Sequence, residues 1–241
     1  MPKVGEILSL LCEESPLELQ ESWDNSGLLL GSHNQEIAGI YTALEATLEL
    51  AEEIPCDSLL ITHHPLIFKP LKSVLFTEYP SNILYKLIRK NIALISLHTN
   101  FDTSHLGRYV ASEVLGFRDV KMDGYIGYFT LNMHSSELIT LLKSRLGITR
   151  IAHVGEPAFL ERGAIITGSG GSLAPKIHAD CLLSGDIKYH DAMIAKSLGI
   201  ALFDIGHYES ERYFPQIMAQ ILKKHGYEAI ITDSKNPFTH S

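Results

Sequence analysis

The chain has 241 residues, 45% of them hydrophobic and 20% charged, with a formal net charge of −8 at pH 7. That length suits one large domain or two small ones, and the composition is ordinary for a globular protein. The acidic balance argues against a nucleic-acid partner, because binding a phosphate backbone draws on a basic stripe, and none is evident here. No apolar stretch approaches the roughly 20 residues of a spanning helix, so no membrane partner is expected. The first residues lack a secretory signal pattern, which makes cytoplasmic residence the default. Cys12, Cys56 and Cys181 are widely spaced, without a Cys-x-x-Cys pair. They read as small buried hydrophobes, against a disulfide framework or a thiolate zinc site.

Residues 4–11 have helical period and stop at Ser15-Pro16. Trp23-Asp-Asn-Ser-Gly27 is turn chemistry ahead of apolar residues 28–30, with Asp24 and Asn25 read as turn formers. A strand is expected at 39–43 and a helix at 47–53. The apolar run 58–62 reads as a short buried strand that delivers His63 and His64, with Pro65 stopping both ladder and helix. Residues 79–90 form a helix with Ile83, Leu84, Leu87 and Ile88 on one face. The strand 91–97 runs into His98-Thr-Asn-Phe-Asp102, followed by a helix at 104–115 that Gly116 ends.

From residue 119 the pattern starts again, with strands at 127–133, 150–154 and 163–167 and a helix at 136–146. Gly168-Ser-Gly-Gly-Ser172 could offer amides to an anion, but it lacks the Gly-Lys-Ser/Thr of a phosphate loop and reads as a tight turn. A strand at 181–183, a helix at 187–198 and a strand at 200–203 precede Asp204-Ile-Gly-His207-Tyr-Glu-Ser-Glu211. A helix at 208–225 comes next, where Pro215 demands either a kink or a helix start, and a last strand lies at 229–231. The alternation of strands and helices gives an α/β fold class, with halves at 1–120 and 121–241.

Three strand ends thus deliver His or carboxylate, and in open α/β sheets the carboxyl edge is where ligands bind. His63, His64, Asp102, His207 and Glu211, with His98 as a sixth, form a mixed imidazole and carboxylate set suited to zinc, iron, manganese or nickel. A single catalytic zinc takes three protein ligands, so this many fit two divalent transition-metal ions per chain. Glu211 is four residues beyond His207, on the same face of a helical turn, and is the expected bridging ligand. A lone histidine is more often a satisfied surface or core residue. His33, His105, His134, His153, His178, His225 and His240 lack the strand-end context and are read that way, and His190-Asp191 only superficially resembles the dyad of an all-helical phosphohydrolase class, unlike this strand-rich chain.

The chain also strongly resembles a known family. Trp23-Asp-Asn-Ser-Gly-Leu-Leu-Leu-Gly31, Thr62-His-His-Pro-Leu-Ile-Phe68 and Leu97-His-Thr-Asn-Phe-Asp102 are similar to its N-terminal signatures. Ser184-Gly-Asp-Ile-Lys-Tyr-His-Asp191 and Gly206-His-Tyr-Glu-Ser-Glu211 are similar to its C-terminal ones. The family is the NIF-three-like group of GTP cyclohydrolase I type 2 homologues. The resemblance implies a two-part α/β fold with mixed sheets flanked by helices and a dinuclear metal site between the halves, in a ring-shaped homohexamer. It carries over His63, His64, Asp102, His207 and Glu211 as ligands and leaves His98 beside the site. Asp186 stands where many relatives have glutamate, which shortens the reach of any catalytic role it has.

These residues and the resemblance together suggest a metal-dependent hydrolase of a small molecule, with GTP as the substrate the resemblance names. Attack on C8 of the guanine ring would open it and release formate, with His98 moving protons and Asp186 as a second catalytic candidate. Lys69, Lys72, Lys188 and Arg212 are candidate cations for a triphosphate. The rivals are a metal-handling or regulatory protein with little turnover, and a phosphoesterase or peptidase on the same metals.

Overall fold

A computed structural model describes residues 1–155, 159–232 and 235–239. The chain forms two compact units, Met1–Phe101 together with Phe214–Ser241, and Asp102–Tyr213. This departs from the expected division at residue 120, because the C-terminal segment returns to the first unit. Ile230 and Ile231 pair in parallel with Tyr41 and Thr42, and the Thr42 hydroxyl donates to the carbonyl of Pro215. Sequential reading misses such a return, since periodicity reports which residues form an element and not which sheet the element joins.

The first unit is built on a five-stranded mixed sheet. Its order is Gly27–Leu30, Ala93–Ser96, Ser58–Thr62, Gly39–Ala43, Ile230–Ile231, with only the first pairing antiparallel. Ser58–Thr62 and Ala93–Ser96 are buried at every residue. That burial on both faces explains why they read as continuous apolar runs without alternation. Leu60 and Leu94 pack with Leu84 and Leu87 of the helix Ser81–Arg89, the apolar face anticipated from its period; Ile88 of that expected face lies exposed.

The register of the two central strands places the histidines at their ends. Thr62 lies opposite Ser96, and their hydroxyls bond at 2.8 Å. The amide of Leu97 then donates to the Thr62 carbonyl. His63, His64 and His98 therefore leave the sheet together, at the carboxyl ends of two adjacent parallel strands.

The second unit holds a six-stranded mixed sheet in the order Lys121–Asp123, Ile126–His134, Phe159–Ser169, Cys181–Gly185, Ala201–Asp204, Ala152–Val154. Its three consecutive strands Phe159–Ser169, Cys181–Gly185 and Ala201–Asp204 are parallel. Ala164, Ile166, Leu182 and Leu202 form its core with Ala195 of the helix Tyr189–Leu198. The expected helix at 104–115 begins earlier, at Thr99, and alternates α turns with π turns at Asp102–Leu106 and Val110–Val114. π turns are uncommon and occur mostly at functional sites.

The helix expected at 208–225 is broken into His207–Glu211 and Phe214–Lys224. Pro215 is the second residue of the later segment, where its missing amide costs no intrahelical bond, so the helix-start alternative holds. Among the described residues no helix is long and apolar enough to cross a membrane.

The three thiols divide by environment. Cys181 is buried, and that burial, with Asp180 beside it, pushes its pKa up to about 12. Cys12 is partly covered and is also raised, by burial and then by Glu18. Cys56 is exposed, contrary to its reading as a buried hydrophobe. In native protein a thiolate-selective reagent at pH 8 should therefore label Cys56 first and leave Cys181 unmodified until denaturation. Peptide mapping that finds Cys181 labelled as fast as Cys56 would contradict this packing.

Candidate metal centre

In the first unit, one ring nitrogen from each of His63, His64 and His98 lies within 4.8 Å of the other two. His63 is fully buried. Its ring packs 5.1 Å from Phe214, centroid to centroid, and Phe214 in turn packs on Phe101. The helix contributed by the C-terminal segment thus backs the imidazole.

Each ring is oriented through Nδ1. His63 donates Nδ1–H to the carbonyl of Leu97 at 2.9 Å. His64 Nδ1 donates to Glu45 Oε1 at 2.5 Å, and His98 Nδ1 to Asp24 Oδ1 at 2.7 Å. A carbonyl or carboxylate can only accept, so each Nδ1 carries the proton and the lone pair of a neutral ring sits on Nε2. Metal-ligating histidines are held in this way, and such bonds fix the tautomer and raise the basicity of the ligating nitrogen.

Asp24 does more than form a turn. Its side chain is fully buried. It accepts from the amides of Asn25 and Thr99 and from the Thr99 hydroxyl as well as from His98. Burial pushes its carboxyl up, but the hydrogen bonds from His98 and Thr99 outweigh this and hold it well below the usual carboxylate range. Its bond to Nδ1 fixes the orientation of His98. The His98 amide is held by Ser26 Oγ and Asn100 Oδ1.

The second unit also carries ligand-type side chains at the carboxyl ends of adjacent parallel strands. His207 opens the helix His207–Glu211. Its Nδ1 donates to Asp186 Oδ2 at 2.7 Å, and its Nε2 lies 3.0 Å from Glu211 Oε2. Asp186 comes directly after the strand Cys181–Gly185 and takes a left-handed backbone, φ 51°, which aspartate tolerates better than most residues. It holds His207 as Glu45 holds His64 and Asp24 holds His98. Glu211 and Asp102 are buried. Asp102 Oδ1 accepts from the Thr167 hydroxyl at 2.8 Å, next to Gly168, against which Glu211 and His207 pack. The donor set, imidazole nitrogens together with carboxylates, fits a transition metal.

The remaining candidates fall elsewhere. The glycine-rich segment, expected as a tight turn, instead runs from the end of the strand Phe159–Ser169 into the 3-10 helix Gly171–Lys176, with the Gly168 and Gly170 amides donating to Ser210 Oγ and Ser184 Oγ. The Arg212 guanidinium donates to the carbonyl of Leu146, whereas Lys69, Lys72 and Lys188 are exposed. His225 pairs with Glu14 and His105 with Ser104, as ordinary surface residues do. His240 lies outside the described residues. Sequence reading misses Glu45: nothing around it marks a partner, and only the fold brings it to His64.

Imidazoles oriented at the strand ends of an α/β sheet, as His63, His64 and His98 are, form a grouping that could hold a metal ion. Residues 2–237 match the family described as Duf34/NIF3 (NGG1p interacting factor 3). The chain belongs to that family. It is 46% identical over 240 residues to a Campylobacter jejuni protein named GTP cyclohydrolase 1 type 2 homolog, covering 99% of each chain. It is also 46% identical over 239 residues to a Helicobacter pylori protein named GTP cyclohydrolase 1 type 2, covering 98% of each. Among solved structures it matches a hypothetical protein of Staphylococcus aureus, SA1388, with a TM-score of 0.85 at 27% identity and 99% coverage of both chains.

Gly168 tests the packing of the second group. Its φ is +67°, and a Cβ there would run into the Glu211 carboxylate and come within 3.3 Å of His207 Nε2. Gly168→Ala should cost about 1–3 kcal/mol of stability through backbone strain and displace Glu211 and His207. A lower melting temperature with reduced metal uptake is the expected outcome. An alanine variant that matches the parent in both would refute the packing.

Proposed function

We propose that the protein is a metal-dependent hydrolase acting on GTP. Two divalent transition-metal ions per chain, of iron, zinc, manganese or nickel, would be held by His63, His64, Asp102, His207 and Glu211. The observation that carries this reading is that His63, His64, His98 and His207 each commit Nδ1 to a carbonyl or carboxylate, which presents Nε2 to a Lewis acid. Bringing the ligands of the two units together in one dinuclear centre is part of the proposal, as are a homohexameric assembly and a cytoplasmic setting. When bound, such ions supply Lewis acidity that brings proton loss from water to about pH 7.

The chain's own residues would do the rest. Glu211 is the bridging ligand in this proposal, buried and four residues beyond His207 on one helix. His98, locked by Asp24, moves protons between reacting groups and solvent. Asp186 and Glu45 orient their imidazoles and touch no substrate. Lys69, Lys72 and Lys188, each exposed, would be the cations that meet a triphosphate in this proposal. The names of the Campylobacter and Helicobacter relatives support GTP as substrate, with hydrolytic opening of the guanine ring and formate as product.

Elemental analysis of reconstituted protein should find about two transition-metal ions per chain. Glu211→Ala should lose more metal than Asp186→Ala, because a bridge serves both ions while Asp186 acts through His207. A single ion per chain, or equal losses in the two variants, would sink the dinuclear assignment.

GTP turnover should stop on chelation, return with added metal, and release formate in step with GTP loss. His98→Ala should lower turnover on the order of 10²–10⁴-fold while keeping most of the metal, as expected for an acid–base group. Inorganic phosphate without formate would point to a phosphoesterase. Metal-replete protein that releases neither product would favour a metal-handling role.

A further inference from the structure

The unit that holds His63, His64 and His98 also carries an exposed aromatic pair beside them. Trp23, the chain's one tryptophan, is 56% exposed and Phe68 is 41% exposed. Their rings meet edge to face at 5.9 Å between centroids. Each also meets the His98 ring edge to face, Trp23 at 6.2 Å and Phe68 at 6.3 Å. Here the open aromatic surface directly adjoins the imidazole assigned to proton transfer.

Both rings are held in place. Trp23 precedes Asp24, whose buried carboxylate takes five hydrogen bonds. Phe68 adjoins Ile67, whose carbonyl accepts from the Asn25 side-chain amide at 2.5 Å. That bond ties the segment carrying Trp23 to the segment carrying Phe68. A pre-set wall of this kind loses little entropy when a flat ring lies on it. Directly beyond Phe68, the same loop bears exposed Lys69 and Lys72. An aromatic wall with cations next to it matches a planar heteroaromatic ring with an anionic tail, as stacking platforms for bases do elsewhere.

We propose that Trp23 and Phe68 form the platform on which the purine ring of a nucleotide substrate stacks, with its phosphates toward Lys69 and Lys72. This deepens the reading of the site as one that hydrolyses GTP, and it rests on that reading. Trp23 and Phe68 are specificity-determining residues in this scheme: they hold the ring against His98 and take no part in bond making. A stack that is equally good in the ground and transition states lowers KM and leaves kcat nearly unchanged.

The single tryptophan gives a direct readout. Metal-reconstituted wild-type protein should show quenched Trp23 emission with guanosine and with GTP, and none with inorganic tripolyphosphate. Trp23→Leu and Phe68→Leu should weaken guanosine binding, measured by calorimetry, roughly 5- to 150-fold. Their circular dichroism and metal content should match the parent, and Trp23→Phe should retain most of the affinity. In GTP turnover the leucine variants should raise KM with kcat within a few-fold of the parent. Wild-type protein that turns over GTP, while the leucine variants keep parental KM and guanosine affinity, would overturn the platform alone. Wild-type protein that binds neither guanosine nor GTP would overturn both the platform and the GTP reading.

Discussion

An imidazole has two nitrogens, and the centre of this molecule depends on how the first one is spent. In His63 it goes to the carbonyl of Leu97, so the bond that orients the ring also ties the end of one central strand to the end of its neighbour. The Thr62–Ser96 hydroxyl pair just before it sets the same two ends level. Sheet register and ligand geometry are therefore one constraint. A slip of one residue would send alternate side chains to the opposite face and take the histidines with them. His64, His98 and His207 spend Nδ1 on carboxylates instead, which adds negative charge behind each ring and strengthens Nε2 as a donor to a cation.

Those carboxylates separate what the sequence discloses from what it hides. The strand ends are legible because burial on both faces leaves an unbroken apolar run, and a polar pair after such a run has to be explained. His63, His64, His98 and Asp102 stand out on that ground, and His207 with Glu211 from their helical spacing. Glu45 and Asp24 are not legible as partners. Glu45 is 19 residues from His64 and Asp24 is 74 from His98, and no local pattern records a contact made across a sheet edge. Asp24 sits amid Asn25, Ser26 and Gly27, the composition of a plain turn, and the turn is real; its carboxylate simply serves His98 as well.

The unit boundary is hidden for a related reason. Helical period locates the segment after His207, and Pro215 marks a discontinuity, yet neither indicates which hydrophobic core the second helix enters. Phe214, Met218 and Leu222 are fully buried, and Phe214 lies on His63. The core of the first unit is thus completed by side chains far along the chain from those that start it. Non-local completion of this kind carries no periodic signature.

That return of the chain also orders events during synthesis. Residues 102–213 contain every strand of their own sheet once residue 213 has left the ribosome. The first sheet, begun much earlier, still lacks the strand Ile230–Ile231 and the helix behind His63 at that moment. A nascent chain therefore exposes an unfinished strand edge and an unsupported histidine until its final stretch emerges. The three-histidine cluster therefore gains its backing from Phe214 only after the residues of the second unit have been made.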